Sequence, residues 1–474
     1  MREATLSTQQ KALQINLEAR HYGVFAEIGA GQEVARWFFN VGGASGTVAK
    51  TISAYDMSIS DAIYGAASRY VSRQRLCAML DYEYDLLVER LDPTRGDRTT
   101  FFAFANTVAM RGPKRPTGDG WLGIRFQTEP RAPCSEILIH ARMLDKERER
   151  QQESLGVLGV NLIHGALYSW RQPAPLIASL LDSLTWERIE VDMIQFSGAG
   201  FAQVDNRLMA LQLVKQDLTE AAMFTAKREP VQWAEVFYKK PVLAQRGTFY
   251  PVTNATLDVL ERAEEQFSKW PAIAGETPVV LMEMTLRHLK TGEFIDEKDF
   301  LERADMLAGL GRPVLISNFL RYHRLAGYLA GYTERPIALA MGASKLREIF
   351  DTSMYNVSEG GLLGGLGQLF KNPGRLYVYP SLDVDAGQIL TAETFAAPAG
   401  LEHLYAYLLE NGFIEGIRDY NKDVLPIRSA DILKRIRSGD PSWETMVPEP
   451  VVAIIKREGL CRSRPAQNDV QEGE

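Results

Sequence analysis

The sequence predicts an α/β protein: a mixed N-terminal α/β portion with a Rossmann-like glycine turn, followed by a mainly parallel α/β C-terminal half. Three observations support this. Apolar runs alternate with helical patterns through the later half, as in a parallel sheet covered on both faces. A glycine turn follows the first apolar run, near residue 28. Runs 101–106, 121–127 and 136–142 follow one another without intervening helices, which indicates antiparallel strands.

The length of 474 residues favours two domains rather than one. We predict a polar leader over 1–20, an N-terminal α/β domain over 21–225 and a C-terminal parallel α/β domain over 226–430. A C-terminal extension with a disordered tail is expected over 431–474. The leader has no apolar segment of the kind found in signal peptides, so no signal peptide is expected.

Composition excludes several function classes. A net charge of −7 without a basic stripe argues against a nucleic-acid partner. Three widely spaced cysteines fit a reducing compartment, and the sequence has no CxxC, HExxH or clustered histidines, so no metal site is predicted. No apolar run reaches the length of a membrane span. We therefore expect a soluble cytoplasmic protein with a small-molecule substrate and no membrane partner, and assembly into a homo-oligomer stays open.

The first element is a strand over 24–28, followed by a glycine turn, a helix through Phe39 and a second strand over 48–54. This order resembles the first turn of Rossmann-like folds, and it also resembles the ExGxG turn of methyltransferases that use S-adenosylmethionine. The resemblance implies a cofactor contact at four residues: Glu27, Gly29, Gly31 and Asp56. Glu33, at the third small position, would repel a pyrophosphate, which counts against NAD more than against S-adenosylmethionine. Alternatively, the glycines only form a tight turn and Asp56 caps the next helix.

Later elements follow from periodicity and turn signals. The predicted helices cover 58–91, 149–170, 296–310, 320–332, 343–351 and 397–419, the fifth with Ser344 as its N-cap. The further predicted strands cover 189–196, 221–226, 278–284, 313–318, 336–341 and, as the last, 375–380. The glycine-rich run 359–367 lacks the Lys-Ser/Thr pair of a P-loop and is predicted to connect two helices.

The stretch 244–263 organises the C-terminal half. A turn at Gly247 leads into a helix from Asn254, with Leu260 on its inner side and Asp258 on its outer side. The first N–H groups of a helix have no partner within the helix, so this place suits a phosphate. Lys240, just before the turn, is a candidate phosphate contact. His323, just past a predicted strand end, is the candidate acid/base histidine.

The same stretch resembles the GTFDPxTNGH signature of nucleotidyltransferases that join ATP to pantetheine phosphate or nicotinate mononucleotide. The matching residues are Gly247, Thr248, Phe249, Pro251, Thr253, Asn254 and Leu257. Ala255 and Thr256 replace the signature's Gly-His pair, and Tyr250 stands where an acidic residue is usual. In that family the histidine stabilises the phosphoryl group under attack, and a threonine hydroxyl brings no charge to that role.

More broadly, the runs FAEIGAGQEVARWFF, SAYDM and KKPVLAQRGTFYPVTN resemble a bacterial family of similar size labelled nicotinate-nucleotide adenylyltransferase. The resemblance implies transfer of AMP from ATP to a phosphate acceptor in NAD biosynthesis, with ATP and Mg²⁺ as cofactors. It implies nucleotide contacts at Gly247, Thr248, Phe249, Thr253 and Asn254, and a catalytic position at Thr256. Two alternatives stay open: an enzyme dependent on S-adenosylmethionine or a dinucleotide, and a non-catalytic nucleotide-sensing or scaffold protein.

Overall fold

A computed structural model describes residues 5–113, 117–291, 294–383 and 387–462. Helices and strands, both parallel and antiparallel, make up the chain, which confirms the predicted α/β class. The chain divides into two compact units, Met1–Ala222 and Met223–Glu474, so residues 431–462 belong to the second unit. The tail that we predicted to be disordered lies outside the described residues from position 463 onward.

Unit 1 is built on one six-stranded sheet of order β2-β1-β3-β4-β5-β6. Strand β1 runs parallel to β2 and β3. Strands β3, β4 and β5 form the predicted antiparallel series, and β6 continues it beside β5. The strands are β1 His21–Ile28, β2 Val48–Ile52, β3 Thr100–Ala109, β4 Gly118–Gln127, β5 Cys134–Met143 and β6 Ile189–Gly198. The helices are α1 Thr8–Leu17, α2 Glu33–Asn40, α3 Met57–Tyr64, α4 Arg73–Arg95, α5 Arg148–Tyr168, α6 Pro173–Ser179 and α7 Asn206–Lys215.

Both faces of the unit 1 sheet are covered by helices. Alternate residues of β3 point to opposite faces, so Phe102 packs with Leu158 of α5 and Phe101 packs with Leu80 of α4 in separate clusters. All four side chains are fully buried. The unit is therefore a three-layer structure with one core on each side of the sheet.

A buried charged group, which we call the His140 cluster, crosses three strands on the α4 face of this sheet. It consists of Asp119 on β4, His140 on β5 and Asp192 on β6. His140 Nδ1 lies 2.6 Å from an Asp192 oxygen, and its Nε2 lies 3.9 Å from Asp119. Burial alone would lower the pKa of His140, but the two carboxylates outweigh it and raise that pKa to about 9. The imidazole is therefore a cation at neutral pH.

Unit 2 is built on the larger sheet, of order β18-β15-β14-β9-β10-β13-β7-β8. The strands of the sheet are β7 Ala221–Phe224, which spans the boundary between the units, β8 Pro230–Val231, β9 Val242–Arg246, β10 Val279–Thr285, β13 Val314–Ser317, β14 Ile337–Gly342, β15 Gly374–Tyr379 and β18 Ile414–Gly416. Two small hairpins pair β11 Lys290–Thr291 with β12 Phe294–Ile295, and β16 Ser381–Asp383 with β17 Gln388–Leu390. The helices are α8 Trp233–Phe237, α9 Asn254–Ser268, α10 Leu286–Leu289, α11 Glu297–Ala308, α12 Tyr322–Leu329, α13 Leu346–Phe350, α14 Gly361–Leu369, α15 Glu402–Glu410, α16 Ser429–Ser438 and α17 Glu449–Glu458.

Six of these strands run parallel and follow a doubly wound path. The chain starts at β9, moves outward through β10 and β13, then returns to the other side of β9 for β14, β15 and β18. Numbered by their order in the chain, these strands read 3-2-1-4-5-6 across the sheet, the order of Rossmann folds. The winding direction therefore reverses between β9 and β14.

Several predicted elements were wrong, and glycines explain most of the differences. The run 359–367 is not a connection, because most of it forms α14, where Gly365 leaves room for the Tyr355 ring, only 2.2 Å from where a Cβ would lie. The predicted helix over 397–419 ends at Glu410, since Gly412 adopts a φ of 69° and turns the chain into β18. Strand 375–380 is therefore not the last one.

Two further differences concern helix starts and ends. The predicted helix over 58–91 is two helices, α3 and α4, because Gly65 with a φ of 80° ends α3. Ser344 is not an N-cap. It lies inside a short 3₁₀ turn, and its N–H donates to the Ser381 hydroxyl at 3.4 Å. Among the described residues no helix is both long and apolar enough to cross a membrane.

Candidate site at the carboxyl edge of the unit 2 sheet

Strand β9 ends at Arg246, and the predicted turn carries the chain from Gly247 into α9. The helix starts at Asn254 as predicted, with Thr253 as its N-cap. The Thr253 hydroxyl accepts the Thr256 N–H at 3.1 Å, and the Thr256 hydroxyl faces the Thr253 N–H at 3.5 Å. The two threonines form a reciprocal capping box, which stabilises the start of the helix. The Thr256 hydroxyl is thus occupied within its own helix.

The backbone of the turn is fixed by tight packing. A Cβ at Gly247 would lie 2.7 Å from the Phe249 ring, and Phe249 is itself buried with a φ of 52°. Arg303 of α11 donates to the Thr248 carbonyl and pairs with Asp299 at 2.8 Å. The turn is therefore held in one conformation from both sides.

The ends of three neighbouring strands share a buried polar network. Arg246 on β9 binds both oxygens of Glu283 on β10, each at 2.8 Å. The Ser317 hydroxyl on β13 donates to Glu283 at 2.5 Å, and the Gly247 N–H donates to the Glu283 carbonyl at 3.1 Å. Paired and hydrogen-bonded in this way, the Glu283 carboxylate is stable although it is fully buried.

His288 lies beside this network in α10, the short helix that follows β10. Burial, together with the smaller effects of the charges of Arg246, Arg303 and Lys345, lowers its pKa to about 4. Its Nδ1 atom is buried and has no hydrogen-bond partner among the described residues. The imidazole is therefore neutral at pH 7 and keeps an unused polar atom among cations.

Two further residues of α9, Asn254 and Asp258, have hydrogen-bond partners elsewhere in unit 2. The Asn254 amide donates to the Thr445 carbonyl at 2.9 Å. Asp258, predicted on the outer side of α9, is buried, because it accepts hydrogen bonds from the Tyr379 hydroxyl and from the Asn421 N–H, the latter at 3.0 Å. The outward placement of Asp258 was wrong.

Lys240, the predicted phosphate contact, and His323, the predicted acid/base residue, lie in different surroundings. Lys240 precedes β9, so the strand places it roughly 20 Å from Gly247, at the opposite edge of the sheet. His323 is buried in α12 and stacks on Tyr355, with ring centroids 4.9 Å apart. Burial and two arginines, Arg324 and Arg321, lower the pKa of His323 to about 4, well below the range of a general base at neutral pH.

Comparison with known proteins finds only weak structural likenesses. No family model and no curated protein matches the chain. Similar solved structures include the competence/damage-inducible protein CihA of Agrobacterium tumefaciens, at 16% identity over 34% of this chain and 97% of that chain, with a TM-score of 0.25. A CinA superfamily protein from Enterobacter cloacae matches at 14% identity over 35% of this chain and 96% of that one, with a TM-score of 0.26. Nicotinic acid mononucleotide adenylyltransferase of Plasmodium falciparum matches at 12% identity over 47% of this chain and 97% of that one, with a TM-score of 0.31. Likenesses this weak carry no argument about function.

The polar groups around the glycine turn of unit 1 form hydrogen bonds with other groups of the protein. The Glu27 carboxylate accepts the N–H groups of Val34 and Ala35 at 3.1 and 2.9 Å, at the start of α2, and the Asn106 amide at 2.9 Å. Burial raises the pKa of Glu27 to about 7, although these hydrogen bonds oppose the rise. The carboxylate thus occupies the helix N-terminus where a dinucleotide pyrophosphate would otherwise bind.

The remaining residues of that turn have structural roles. A Cβ at Gly29 would lie 1.9 Å from the Val108 carbonyl oxygen, so only glycine lets β1 and β3 stay in register there. Gly31 has open space around it and a φ of 81°. Asp56 is the N-cap of α3 and accepts the Ile59 N–H at 3.1 Å, which is the alternative that the sequence left open. A contact with S-adenosylmethionine at these residues stays a prediction.

Three residues of the unit 2 edge were not predicted from the sequence: Arg246, His288 and Arg303. Arg246 had a detectable signal, because it comes two residues after the apolar run 242–244. His288 lies five residues after Glu283, a strand-end residue that the alternation does identify. Arg303 had no detectable signal, because in the sequence it resembles any charged residue on the exposed face of a helix.

Proposed function

We propose that this protein binds a nucleotide through its phosphates at the carboxyl edge of the unit 2 sheet and transfers AMP from ATP to a phosphate acceptor. The reaction is that of the nicotinate-nucleotide and pantetheine-phosphate adenylyltransferases that the stretch 247–257 resembles. One observation supports the proposal above others: the turn at Gly247 ends β9 at the point where the sheet reverses its winding. Ligands of open α/β sheets bind outside the carboxyl ends of the strands at this point.

The chain's own residues would act mainly by positioning. Gly247 lets the backbone approach a phosphate closely, and the start of α9 lies seven residues further on. Lys345 follows β14 on the other side of the crevice. Phosphoryl transfer depends chiefly on orientation and on neutralising charge, so this set suits the proposed reaction.

Mg²⁺ is the metal that such chemistry uses. The side chains at the carboxyl edge of the unit 2 sheet do not fit a resident Mg²⁺ ion. Both oxygens of Glu283 are held by Arg246, and one of them also accepts the Ser317 hydroxyl. The part of the chain that the structure describes has no group of three acidic, histidine or cysteine side chains suited to a metal. We therefore assign no step to the metal.

A nucleotide sensor without catalysis is the second candidate. Its support is the capping box, in which the Thr256 hydroxyl is already engaged with Thr253 at the position of the signature histidine. Such a protein would bind the nucleotide at the same edge without releasing pyrophosphate. The scaffold interpretation differs from it in predicting no ligand at all.

Thermal unfolding with separate ligands tests the proposal. MgATP at about a hundred times its dissociation constant should stabilise the protein by about 2.7 kcal/mol. Nicotinate mononucleotide, NAD and S-adenosylmethionine complete the panel. Gly247→Ala should abolish the MgATP shift, because the added Cβ would meet the Phe249 ring at 2.7 Å.

Gly367→Ala is the matched control, since a Cβ there meets nothing within 4 Å. It should leave the MgATP shift unchanged. A positive shift justifies an assay of pyrophosphate release with nicotinate mononucleotide as acceptor, and binding without release selects the sensor. The proposal is contradicted if S-adenosylmethionine is the only ligand that raises the unfolding temperature, or if none of the ligands raises it.

A further inference from the structure

A cavity of about 430 Å³ opens at the amino edge of the unit 2 sheet. It is lined by the β7–β8 hairpin, by α8 and by the chain just before β13. Sites for small molecules have volumes of about 300 to 1,000 Å³, so this cavity is large enough for a ligand of modest size. Pro313 directly precedes β13 and Gly247 directly follows β9, and both strands run parallel to β10. The cavity and the turn at Gly247 therefore lie at opposite edges of the sheet.

Part of the lining is apolar. It consists of Ala226 in the hairpin turn, Val231 on β8, Val236 on α8 and Pro313, and all four residues are half-buried. A hydrocarbon group placed against them would leave water, which favours binding. The cavity therefore suits a ligand that has an apolar part.

The rest of the lining includes one charge of each sign. Lys227 and Glu229 both line the cavity and are exposed, and neither side chain has a hydrogen-bond or ion-pair partner among the described residues. The neighbouring arginines are engaged elsewhere, since Arg228 pairs with Asp305 at 2.7 Å and Arg312 pairs with a glutamate of α9 at 2.6 Å. The cavity thus has an ammonium and a carboxylate that are available to a ligand.

The turn that carries both charges has an ordered backbone. The Thr225 hydroxyl accepts the N–H groups of Lys227 and Glu229 at 3.1 and 3.4 Å, and the Thr225 N–H donates to the Glu229 carbonyl at 2.9 Å. The ion pair of Arg228 with Asp305 holds the turn against α11. A ligand would therefore have to order only the two side chains, which limits the entropic cost of binding.

We propose that this cavity binds a free α-amino acid with a large apolar side chain. The Glu229 carboxylate accepts hydrogen bonds from the α-ammonium group, and the Lys227 ammonium pairs with the α-carboxylate. The apolar side chain of the ligand lies against Val231, Val236 and Pro313. One positive and one negative group beside an apolar surface are complementary to a zwitterion, whereas Glu229 would repel a nucleotide. The inference goes beyond the proposed function, because this site is at the other edge of the sheet and needs no nucleotide.

Saturation-transfer NMR on the full-length protein tests the proposal with L-leucine and L-phenylalanine, at up to about 10 mM. Both amino acids should bind. Glycine, which lacks the apolar side chain, should bind at least about tenfold more weakly. The proposal is overturned if neither L-leucine nor L-phenylalanine gives a signal, or if glycine binds as well as they do.

Two variants and two modified ligands assign the role of each charge. Lys227→Gln and Glu229→Gln should each weaken L-leucine binding about two- to fivefold, which is the range of an exposed ion pair. L-Leucinamide has no carboxylate, so its affinity should be the same in Lys227→Gln as in the wild type. N-acetyl-L-leucine has no ammonium group, so its affinity should not fall in Glu229→Gln.

Lys269→Gln and Glu261→Gln are matched controls. Both residues are exposed, Glu261 in α9 and Lys269 just after it, and neither lines the cavity. Both controls should bind L-leucine as the wild type does. An affinity for L-leucine that is unchanged in Lys227→Gln and Glu229→Gln contradicts the site. A loss of equal size in the controls contradicts it as well, because net charge rather than the cavity would then determine binding.

Discussion

At the scale of single residues, unit 1 and unit 2 use buried charge in opposite ways. His140 is charged because Asp192 and Asp119 outweigh the effect of burial, and His288 is neutral because burial, with neighbouring cations acting in the same direction, lowers its pKa. Burial lowers the pKa of both imidazoles, so burial alone does not explain why one is charged and the other neutral. The sign of the neighbouring groups decides it, and only the folded structure brings those neighbours together.

The His140 cluster makes unit 1 sensitive to alkaline pH. The folded pKa of His140, about 9, is above its unfolded value, so its stabilising effect is complete below about pH 6.5 and is lost as pH rises through 9. Wild-type unfolding free energy should therefore fall over this window. Urea unfolding at about pH 6, 8 and 10 measures it.

His140→Gln should remove that dependence and destabilise unit 1 at about pH 6, by on the order of 3 kcal/mol, since it leaves Asp192 buried without its cation. His403→Gln, on the surface of unit 2, should retain the wild-type profile. A His140→Gln protein with the wild-type pH profile would show that other groups cause the alkaline loss.

The residue scale also shows what sequence can and cannot predict about a site. Glycine positions and strand ends were predictable, because Gly247 and Glu283 follow from local patterns. The partner of each polar group was not. Glu27 has the position of a cofactor contact in a glycine turn, yet it binds the start of α2, and Asp258 has the position of an outward residue, yet it accepts a hydrogen bond from Tyr379. Such pairings depend on residues distant in the chain.

At the scale of elements, the turn between β1 and α2 shows two separate requirements for glycine. Gly29, whose own φ is 102°, is needed above all because β3 approaches the chain, and Gly31 is needed because its φ of 81° is unfavourable for other residues. The first requirement is steric and involves backbone atoms that cannot move aside. The second is conformational and costs less.

Substitutions at these two glycines should therefore differ in size. Gly29→Ala places a Cβ 1.9 Å from the Val108 carbonyl oxygen, so we expect loss of more than about 3 kcal/mol or failure to fold. Gly31→Ala should cost about 1 kcal/mol. Urea unfolding followed by circular dichroism compares the two proteins. Similar losses in both would show that the close contact of Gly29 is relieved by a backbone shift.

Elements with a clear period were predicted well, and elements made by glycine placement were not. The alternation of strands and helices after residue 278 predicted β10, β13, β14 and β15 because each is a short apolar run. Helix α14 was missed, since its glycines are frequent in loops, whereas here they allow close packing on Tyr355. Strand β18 was missed although Asn411 and Gly412 separate it from α15, because its three residues are too few to show a strand period.

At the scale of the whole molecule, two units have separate sheets and unit 1 has its own two-sided core. A fragment of residues 1–222 should therefore fold by itself and unfold cooperatively. Circular dichroism and urea unfolding of that fragment check the expectation. The control fragment 1–180 lacks β6, the strand that carries Asp192, and should not fold. A disordered 1–222 fragment would mean that unit 1 depends on the rest of the chain.

The two ends of the large sheet limit how copies of unit 2 can associate. Its outermost strands are β18, with three residues, and β8, with two residues that include Pro230, which has no N–H to donate. Edges this short offer few free backbone groups to a strand from another molecule. The sheet is therefore poorly suited to grow by adding strands from neighbouring copies, so unit 2 is protected against edge-to-edge aggregation, and any dimer it forms should use helix faces.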